Sequence, residues 1–247
     1  MSMPPTPRVH ASPAEKGARV REMFSAISPR YDLLNRLLSA GLDQGWRRRV
    51  VALSGVQAGG RALDLCAGTG DLAVMLAARV GTDGEAVGLD FCEDMLVHAR
   101  RKYPVSTWPQ LRFTCGDALE LPFEGDIFDT VTMAFGLRNL ADPSRGFREM
   151  RRVVRPGGTV VVLELTRPGG LLRLLYYPYL FIVLPLLGGL VSGRFNAYRY
   201  LARSIAEFLP PERVLEQMRE AGLVQGRAIR LLGGIATIFC CEVPRGL

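Results

Sequence analysis

Gly68-Thr69-Gly70-Asp71-Leu72-Ala73 follows the short run Leu63-Asp64-Leu65. Glycines at such a turn let the backbone approach a ligand, and the helix that follows points its free N–H groups at it. The pattern G-x-G-x-x-A is also the dinucleotide fingerprint, and alone it is weak. Asp90, twenty residues past Gly70, ends the next apolar run. An acid there accepts hydrogen bonds from both hydroxyls of a ribose. NAD and S-adenosylmethionine both carry a ribose, so Asp90 leaves the choice open. Asp71 bears on it more. At the start of a helix a carboxylate suits the dipole but repels a pyrophosphate, and Asp64 adds a second negative charge. S-adenosylmethionine has no phosphate and carries a sulfonium and an α-ammonium, so an acid-bearing turn fits it better. The alternative for Asp71 is a plain helix cap.

These residues need elements to hold them. Residues 15–53 read as helical: Val20, Met23, Phe24 and Ile27 recur at helical spacing, and Ser28-Pro29 breaks the pattern. Residues 31–38 resume it, Gly41 and Gly45 bracket a turn, and 46–53 form a further helix. From Arg61 the pattern alternates. Strands are expected at 62–65, 85–89, 111–114, 128–134 and 159–165. Helices are expected at 71–80, 92–103 and 143–154, with Pro156-Gly157-Gly158 as a tight turn. A helix over 211–221 and an antiparallel pair, 223–232 with 235–243, close the chain. This predicts an α/β fold: a doubly wound, mostly parallel sheet. A disordered tail (1–14) precedes a single domain (15–247), which includes an N-terminal helical cap (15–58) and an apolar helical insertion (170–205) serving as a substrate lid.

Gly116-Asp117-Ala118 follows the third strand, where an Asp reaches an adenine amino group. Phe128-Asp129-Thr130-Val131 opens the fourth strand, and Arg155-Pro156-Gly157-Gly158 precedes the fifth. In this order and spacing the pieces resemble the class I methyltransferases. Three further stretches are not required by that fold: MFSAISPRYDLLN (23–35), FGLRN (135–139) and AYRYLARSI (197–205). Together they closely resemble the ubiquinone/menaquinone biosynthesis C-methyltransferases, from about residue 18 to about 243. The resemblance implies methyl transfer to a ring carbon of a polyprenylated benzoquinol or naphthoquinol, with S-adenosylmethionine as the cofactor. The family's cofactor contacts carry over to Thr69, Asp90, and Asp117 with Ala118; Asp64, Gly68 and Gly70 complete the turn. Many members have Asn at the position of Asp117 and Ser at that of Ala134. If the Ser contact is through its hydroxyl, one hydrogen bond of roughly 0.5–1.5 kcal/mol is missing here; if through the backbone, nothing is lost.

A ring carbon is a poor nucleophile until a hydroxyl on the ring loses its proton. The enzyme must align carbon, methyl and sulfur, hold the phenolate, and remove the ring proton. Arg138 is the first candidate to hold the phenolate or orient a water, because it sits just past the fourth strand at the carboxyl edge. Asn139 can assist. Arginine is too weak an acid to serve as the base, so the candidate proton acceptors are Tyr31 and Asp32 from the cap, and Tyr198 and Tyr200 from the last motif, the last two also as substrate contacts. The alternatives are a structural salt bridge for Arg138 and core packing for the tyrosines.

Composition narrows the rest. With 48% hydrophobic and 22% charged residues the chain reads as an ordinary globular protein. Five cysteines lack C-x-x-C spacing and there are two histidines, so no metal site is expected. An odd cysteine count without an apolar leader suggests a reducing cytoplasm. The net charge is +7, and residues 1–50 hold nine basic against four acidic residues. That suits an anionic membrane surface, and peripheral docking there is one expectation; a solvated helix face is the other. Residues 174–191, eighteen without a charge, reach the lower limit of a membrane span. Pro178 and Pro185 are expected to break a lone helix, and Gly188-Gly189 also interrupts the run. A lid over a greasy pocket, either buried or at a membrane interface, is therefore expected.

Other functions fit less well. An NAD-dependent oxidoreductase lacks a Tyr-x-x-x-Lys pair, and a nucleic-acid methyltransferase lacks both its motifs and a recognition domain. A non-catalytic membrane-associated scaffold would not need Asp64, Thr69, Asp90 and Arg138 intact. Only Lys16 and Lys102 are lysines. Such an Arg-rich composition goes with GC-rich bacteria, many of which use menaquinone. Demethylmenaquinol is thus the leading substrate and the benzoquinol precursor of ubiquinone the alternative. Oligomeric state is not readable from these residues.

Overall fold

The structure, a computed structural model, describes residues 13–28 and 31–245. Three helices come first: α1 (Pro13–Ile27), α2 (Tyr31–Leu38) and α3 (Leu42–Ser54). The alternating part follows as β1 (Arg61–Leu65), α4 (Asp71–Val80), β2 (Glu85–Asp90), α5 (Glu93–Lys102), β3 (Leu111–Cys115), β4 (Phe128–Ala134), α6 (Pro143–Val153) and β5 (Val154–Leu165). The insertion is α7 (Leu172–Pro178), α8 (Leu184–Ser192) and α9 (Phe195–Glu207); α10 (Pro211–Glu220), β6 (Val224–Leu231) and β7 (Ala236–Glu242) end the fold.

The seven strands lie in the order β3-β2-β1-β4-β5-β7-β6. β1 to β5 are parallel, and β7 runs antiparallel between β5 and β6. The order reverses between β1 and β4, which opens a crevice at their carboxyl ends. Strand alternation sends side chains to two faces. Leu63, Leu65, Val131 and Met133 pack with Phe147 of α6 and Met218 of α10. Ala62 and Ala86 pack with Leu72 and Leu76 of α4 and Val50 of α3. A third cluster, Leu34, Tyr176, Leu180, Leu184, Tyr198 and Ile205, joins α2 to the insertion and packs on Leu165, the last residue of β5.

Four local expectations need correction. Pro178 and Pro185 do not break the insertion: residues Leu172–Ser192 form one helix. A π turn over Tyr179–Val183 joins its halves, and the Leu184 N–H donates to the Tyr179 carbonyl five residues back. The widened turn includes the carbonyl four residues before Pro185, so it replaces the regular turn with which that proline's ring would clash. Gly188 and Gly189 lie inside α8 rather than interrupting it. Gly45 lies inside α3, so only Gly41, at φ 75°, makes the preceding turn. Pro156-Gly157-Gly158 is an irregularity within β5, where the pairing with β4 shifts register between Phe128 and Thr130. The expected tail falls outside the described residues except for 13 and 14, which begin α1.

Candidate functional site

The carboxyl ends of the parallel strands converge on a cavity of about 450 Å³. Cys66 and Gly68 reach it from β1, Asp90 and Phe91 from β2, Gly116 to Leu119 from β3, and Ala134 to Gly136 from β4. Helix α1 closes it with Gly17, Ala18, Arg21 and Phe24. Two backbone residues at the rim are held in the left-handed region: Cys66 at φ 55° and Phe135 at φ 62°. Non-glycine residues persist there only when their surroundings hold them, and such sites cluster where ligands bind. Gly136 shows the constraint, because a Cβ at that position would lie 2.6 Å from the Cβ of Cys66.

Asp90 is 5% exposed. One of its oxygens accepts from the Gly68 N–H (2.8 Å) and the other from the Cys92 N–H (2.9 Å). Burial raises its pKa, and the backbone N–H groups of Cys92, Gly68 and Phe91 oppose the rise. Asp117 is exposed at the cavity mouth, with its carboxylate accepting from the Leu119 N–H (2.9 Å). Ala118 and Ala134 also line the cavity.

Asp64, Thr69 and Gly70 lie beneath or beside the turn and line neither this cavity nor the next. Asp64 is 1% exposed and accepts from Thr132 Oγ1 (2.8 Å). Burial pushes its carboxyl up to about 7, against the Thr132 hydrogen bond and the Arg47 charge. Thr69 Oγ1 donates to Asp32 (2.5 Å). The carboxylate of Asp32 also accepts from Lys102 Nζ (2.5 Å).

Lys102 reaches Asp71 as well (2.5 Å), and Tyr103 Oη (2.9 Å) and Gln44 Nε2 (3.0 Å) donate to the same carboxylate. Burial works to raise the Asp71 carboxyl, but Lys102 and Tyr103 outweigh it and hold it below the usual range. Asp71 is thus a neutralised latch between elements. Its charge does not face the cavity and cannot carry the choice of cofactor. The cavity lining itself carries it. Asp90 and Asp117 share the lining with one basic residue, Arg21, whose guanidinium lies over the Phe91 ring at 5.4 Å. Two carboxylates, one cation and walls such as Phe91 and Met95 suit an adenosine bearing positive charge better than a pyrophosphate.

A second cavity, of about 130 Å³, lies beside the first. The two share a wall of Phe24, Tyr31, Phe135 and Asn139. The second is aromatic, with Trp46, Tyr176, Tyr179, Tyr198 and Tyr200 around Arg138. Arg138 Nη1 is ion-paired with Glu164 and donates to the Phe135 carbonyl (3.1 Å). Asn139 Oδ1 accepts from Tyr200 Oη (3.2 Å). Burial raises the phenols of Tyr31 and Tyr200, and carries Tyr198 up to about 12.

The candidates Arg138, Asn139, Tyr31, Tyr198 and Tyr200 therefore come together, and Asp32 does not join them. Several lining residues were not singled out in the sequence. Glu164 reads as one more polar residue in a strand, and Phe135, Trp46 and Tyr176 as core. Arg47 is also withdrawn from the basic amino-terminal surface: it pairs with Asp43, both buried, and its guanidinium lies 5.2 Å from the centre of the Phe135 ring. Among the described residues no cluster of His, Cys, Asp and Glu can hold a metal ion.

A profile of the ubiE/COQ5 methyltransferase family matches residues 13–242. The chain is 49% identical over 223 residues to the demethylmenaquinone methyltransferase of Thermus thermophilus, covering 90% of this chain and all of that one. It is 47% identical over 226 residues to the protein of the same name from Deinococcus radiodurans, covering 91% and 92%. Among solved structures, a SAM-dependent methyltransferase from Thermotoga maritima superposes with a TM-score of 0.65 at 18% identity, over 90% of this chain and 98% of that one. That last likeness is one of fold.

Proposed function

The chain belongs to the ubiE/COQ5 methyltransferase family, and from that premise we propose that it converts a polyprenylated demethylmenaquinol to menaquinol. It is an S-adenosylmethionine-dependent C-methyltransferase of menaquinone biosynthesis. The observation that carries this reading is the wall shared by the two cavities. A cofactor in the acid-rimmed cavity and a quinol in the aromatic one would both be held against Phe24, Tyr31, Phe135 and Asn139.

When bound, the cofactor supplies an electrophilic methyl group on its sulfonium. Asp90 binds the ribose hydroxyls, and Asp117 with Ala118 binds the adenine. The shared wall sets the line from donor to ring carbon, which is chiefly a positioning effect. Arg138 holds the quinol oxygen, and its planar fork favours the phenolate. Glu164 acts behind it as a positioning residue. The tyrosines keep their protons at neutral pH because burial raises them, so they donate hydrogen bonds and orient the ring. The ring hydroxyl gives its proton to solvent before transfer, the ring carbon gives up its own after it, and the oxygen takes one back, so one proton is released per methyl. Asn139, beside Arg138, orients the water that exchanges them. At about 130 Å³ the aromatic cavity is below the usual range for a ligand site, so the cap must give way to seat the ring.

The substrate's prenyl tail partitions into lipid. We place the enzyme at the cytoplasmic face of a membrane, drawn there in part by basic residues of the amino-terminal helices. The test uses purified protein, labelled S-adenosylmethionine, and two reduced short-tail acceptors, a demethylmenaquinol and the benzoquinol precursor of ubiquinone. Label on the naphthoquinol is expected. Label on the benzoquinol alone would overturn the substrate assignment, and label on neither, with the cofactor bound, would overturn the quinol reading.

A further inference from the structure

The helix over Leu172–Ser192 has two apolar faces. Its inner face, Tyr176, Leu180 and Leu184, is buried against Leu34 and Tyr198 and forms one side of the aromatic cavity. Its outer face has no partner among the described residues: Leu174 is 68% exposed, Leu175 72%, Leu186 52% and Leu190 73%. Over an 18-residue window the mean hydropathy is 1.9, and only 33% of that window is buried. Leu33 and Leu37 of α2, which packs on α8, add two more exposed leucines. Contiguous apolar surface of this kind marks an interaction site.

Charge identifies the partner. Residues 165–206 contain five arginines and no acid. Arg173, Arg194, Arg199 and Arg203 are all exposed. A second copy related by a two-fold axis would bring these like charges together. An anionic lipid surface is complementary to them. A span across the bilayer is excluded by the inner face, which is fixed to the domain, so the helix lies flat.

We propose that the outer face of residues 172–192, with Leu33 and Leu37, docks in the interface of an anionic bilayer, so that the aromatic cavity beneath the helix takes its substrate's ring directly from lipid. This rests on the quinol reading above for the identity of the substrate. The surface itself does not depend on that reading.

The test compares the full chain with L175E/L186E/L190E, whose altered side chains point away from the cavity. Both are sedimented with phosphatidylcholine vesicles, with and without phosphatidylglycerol. Both are assayed on a soluble short-tail demethylmenaquinol and on a long-tail one embedded in the vesicles. The wild type is expected to pellet with the anionic vesicles. The variant is expected to bind them about a hundredfold or more less tightly, since each leucine kept out of lipid forfeits roughly tenfold in partition. It should keep its short-tail turnover and lose the long-tail turnover. L190W, which stays apolar, should gain fluorescence quenching by brominated lipid over the wild type, and this checks the contact if the triple variant fails to fold. A wild type that ignores anionic vesicles overturns the proposal. So does a wild-type dimer that the triple variant splits without loss on embedded substrate. If wild type pellets but methylates neither quinol, the substrate reading fails and the docking surface stands.

Discussion

The guanidinium of Arg138 and the carboxylate of Glu164 form an ion pair at the carboxyl ends of β4 and β5, with the arginine side chain 8% exposed and the glutamate 0%. Glu164 also accepts from the backbone N–H groups of Arg138 (3.1 Å) and Leu165 (2.7 Å). The glutamate thus fixes both the side chain and the backbone of an arginine that lines the aromatic cavity. Removing one partner of a buried pair typically costs about 3–5 kcal/mol, so E164A should lower the melting temperature sharply. R138K keeps the charge but loses the planar fork. It should lower kcat by about a hundredfold or more and leave cofactor affinity within about twofold. Calorimetry with S-adenosylhomocysteine and steady-state assays on a short-tail quinol measure the two separately. Equal losses in both would mean that Arg138 only supports the fold.

Lys102 joins Asp32 of the cap to Asp71 at the start of α4, and Thr69 in the glycine turn donates to the same Asp32. K102M leaves two carboxylates facing each other without a cation. It should loosen the cap over the cofactor cavity and weaken S-adenosylhomocysteine binding by about tenfold, with faster release; K102R should restore most of it. Asp71 has a depressed pKa. Its contribution to stability is present above the ordinary carboxylate range and is lost as pH falls through the lower folded value. The wild-type latch therefore holds throughout neutral pH, and K102M should remove acid-range stability that the wild type shows. Stopped-flow release and melting curves across the acid range check both.

The sheet was legible because most of its strands are short apolar runs and several of its turns carry glycine. The cavity rim was legible for the same reason: Asp90 and Ala134 end strands, and Gly68 and Asp117 closely follow strand ends. What was not legible depended on partners distant in sequence. Asp71 meets Lys102 across 31 residues and Asp32 meets it across 70, so the carboxylate that seemed to favour a cationic cofactor had already been neutralised. The continuous helix through Pro178 and Pro185 was hidden because a π turn is a backbone solution that composition does not record. The salt bridge weighed as an alternative for Arg138 is present, and the residue still lines the aromatic cavity. The two readings were never exclusive.

Asp64 is expected to make folding stability pH-dependent. Burial raises its carboxyl to about 7, against about 4 for a free aspartate, so the folded chain keeps a proton that the unfolded chain has lost. Its contribution favours the fold at low pH and is lost as pH rises from about 4 through about 7. D64N cannot ionise and keeps a partner for Thr132, so it should flatten that part of the melting-temperature profile. An unchanged slope in D64N would assign the proton to another group.

Gly188 seats Tyr198, for a Cβ there would lie 2.3 Å from the tyrosine ring. G188A must therefore push the ring toward the aromatic cavity or lift α9 from α8. Overpacking of this kind costs about 1–3 kcal/mol, which the melting temperature should record. The functional effect should be confined to one side of the shared wall. Neither Gly188 nor Tyr198 lines the cavity that holds Asp90 and Asp117, so S-adenosylhomocysteine affinity should stay within about twofold. The KM for a short-tail quinol should rise by about tenfold, as the displaced ring takes space from a cavity of only about 130 Å³. Pairing G188A with Y198A should return that space and lower the KM again. If the pair is no better than G188A alone, the tyrosine is not what the glycine accommodates, and the loss comes from α9 moving as a body.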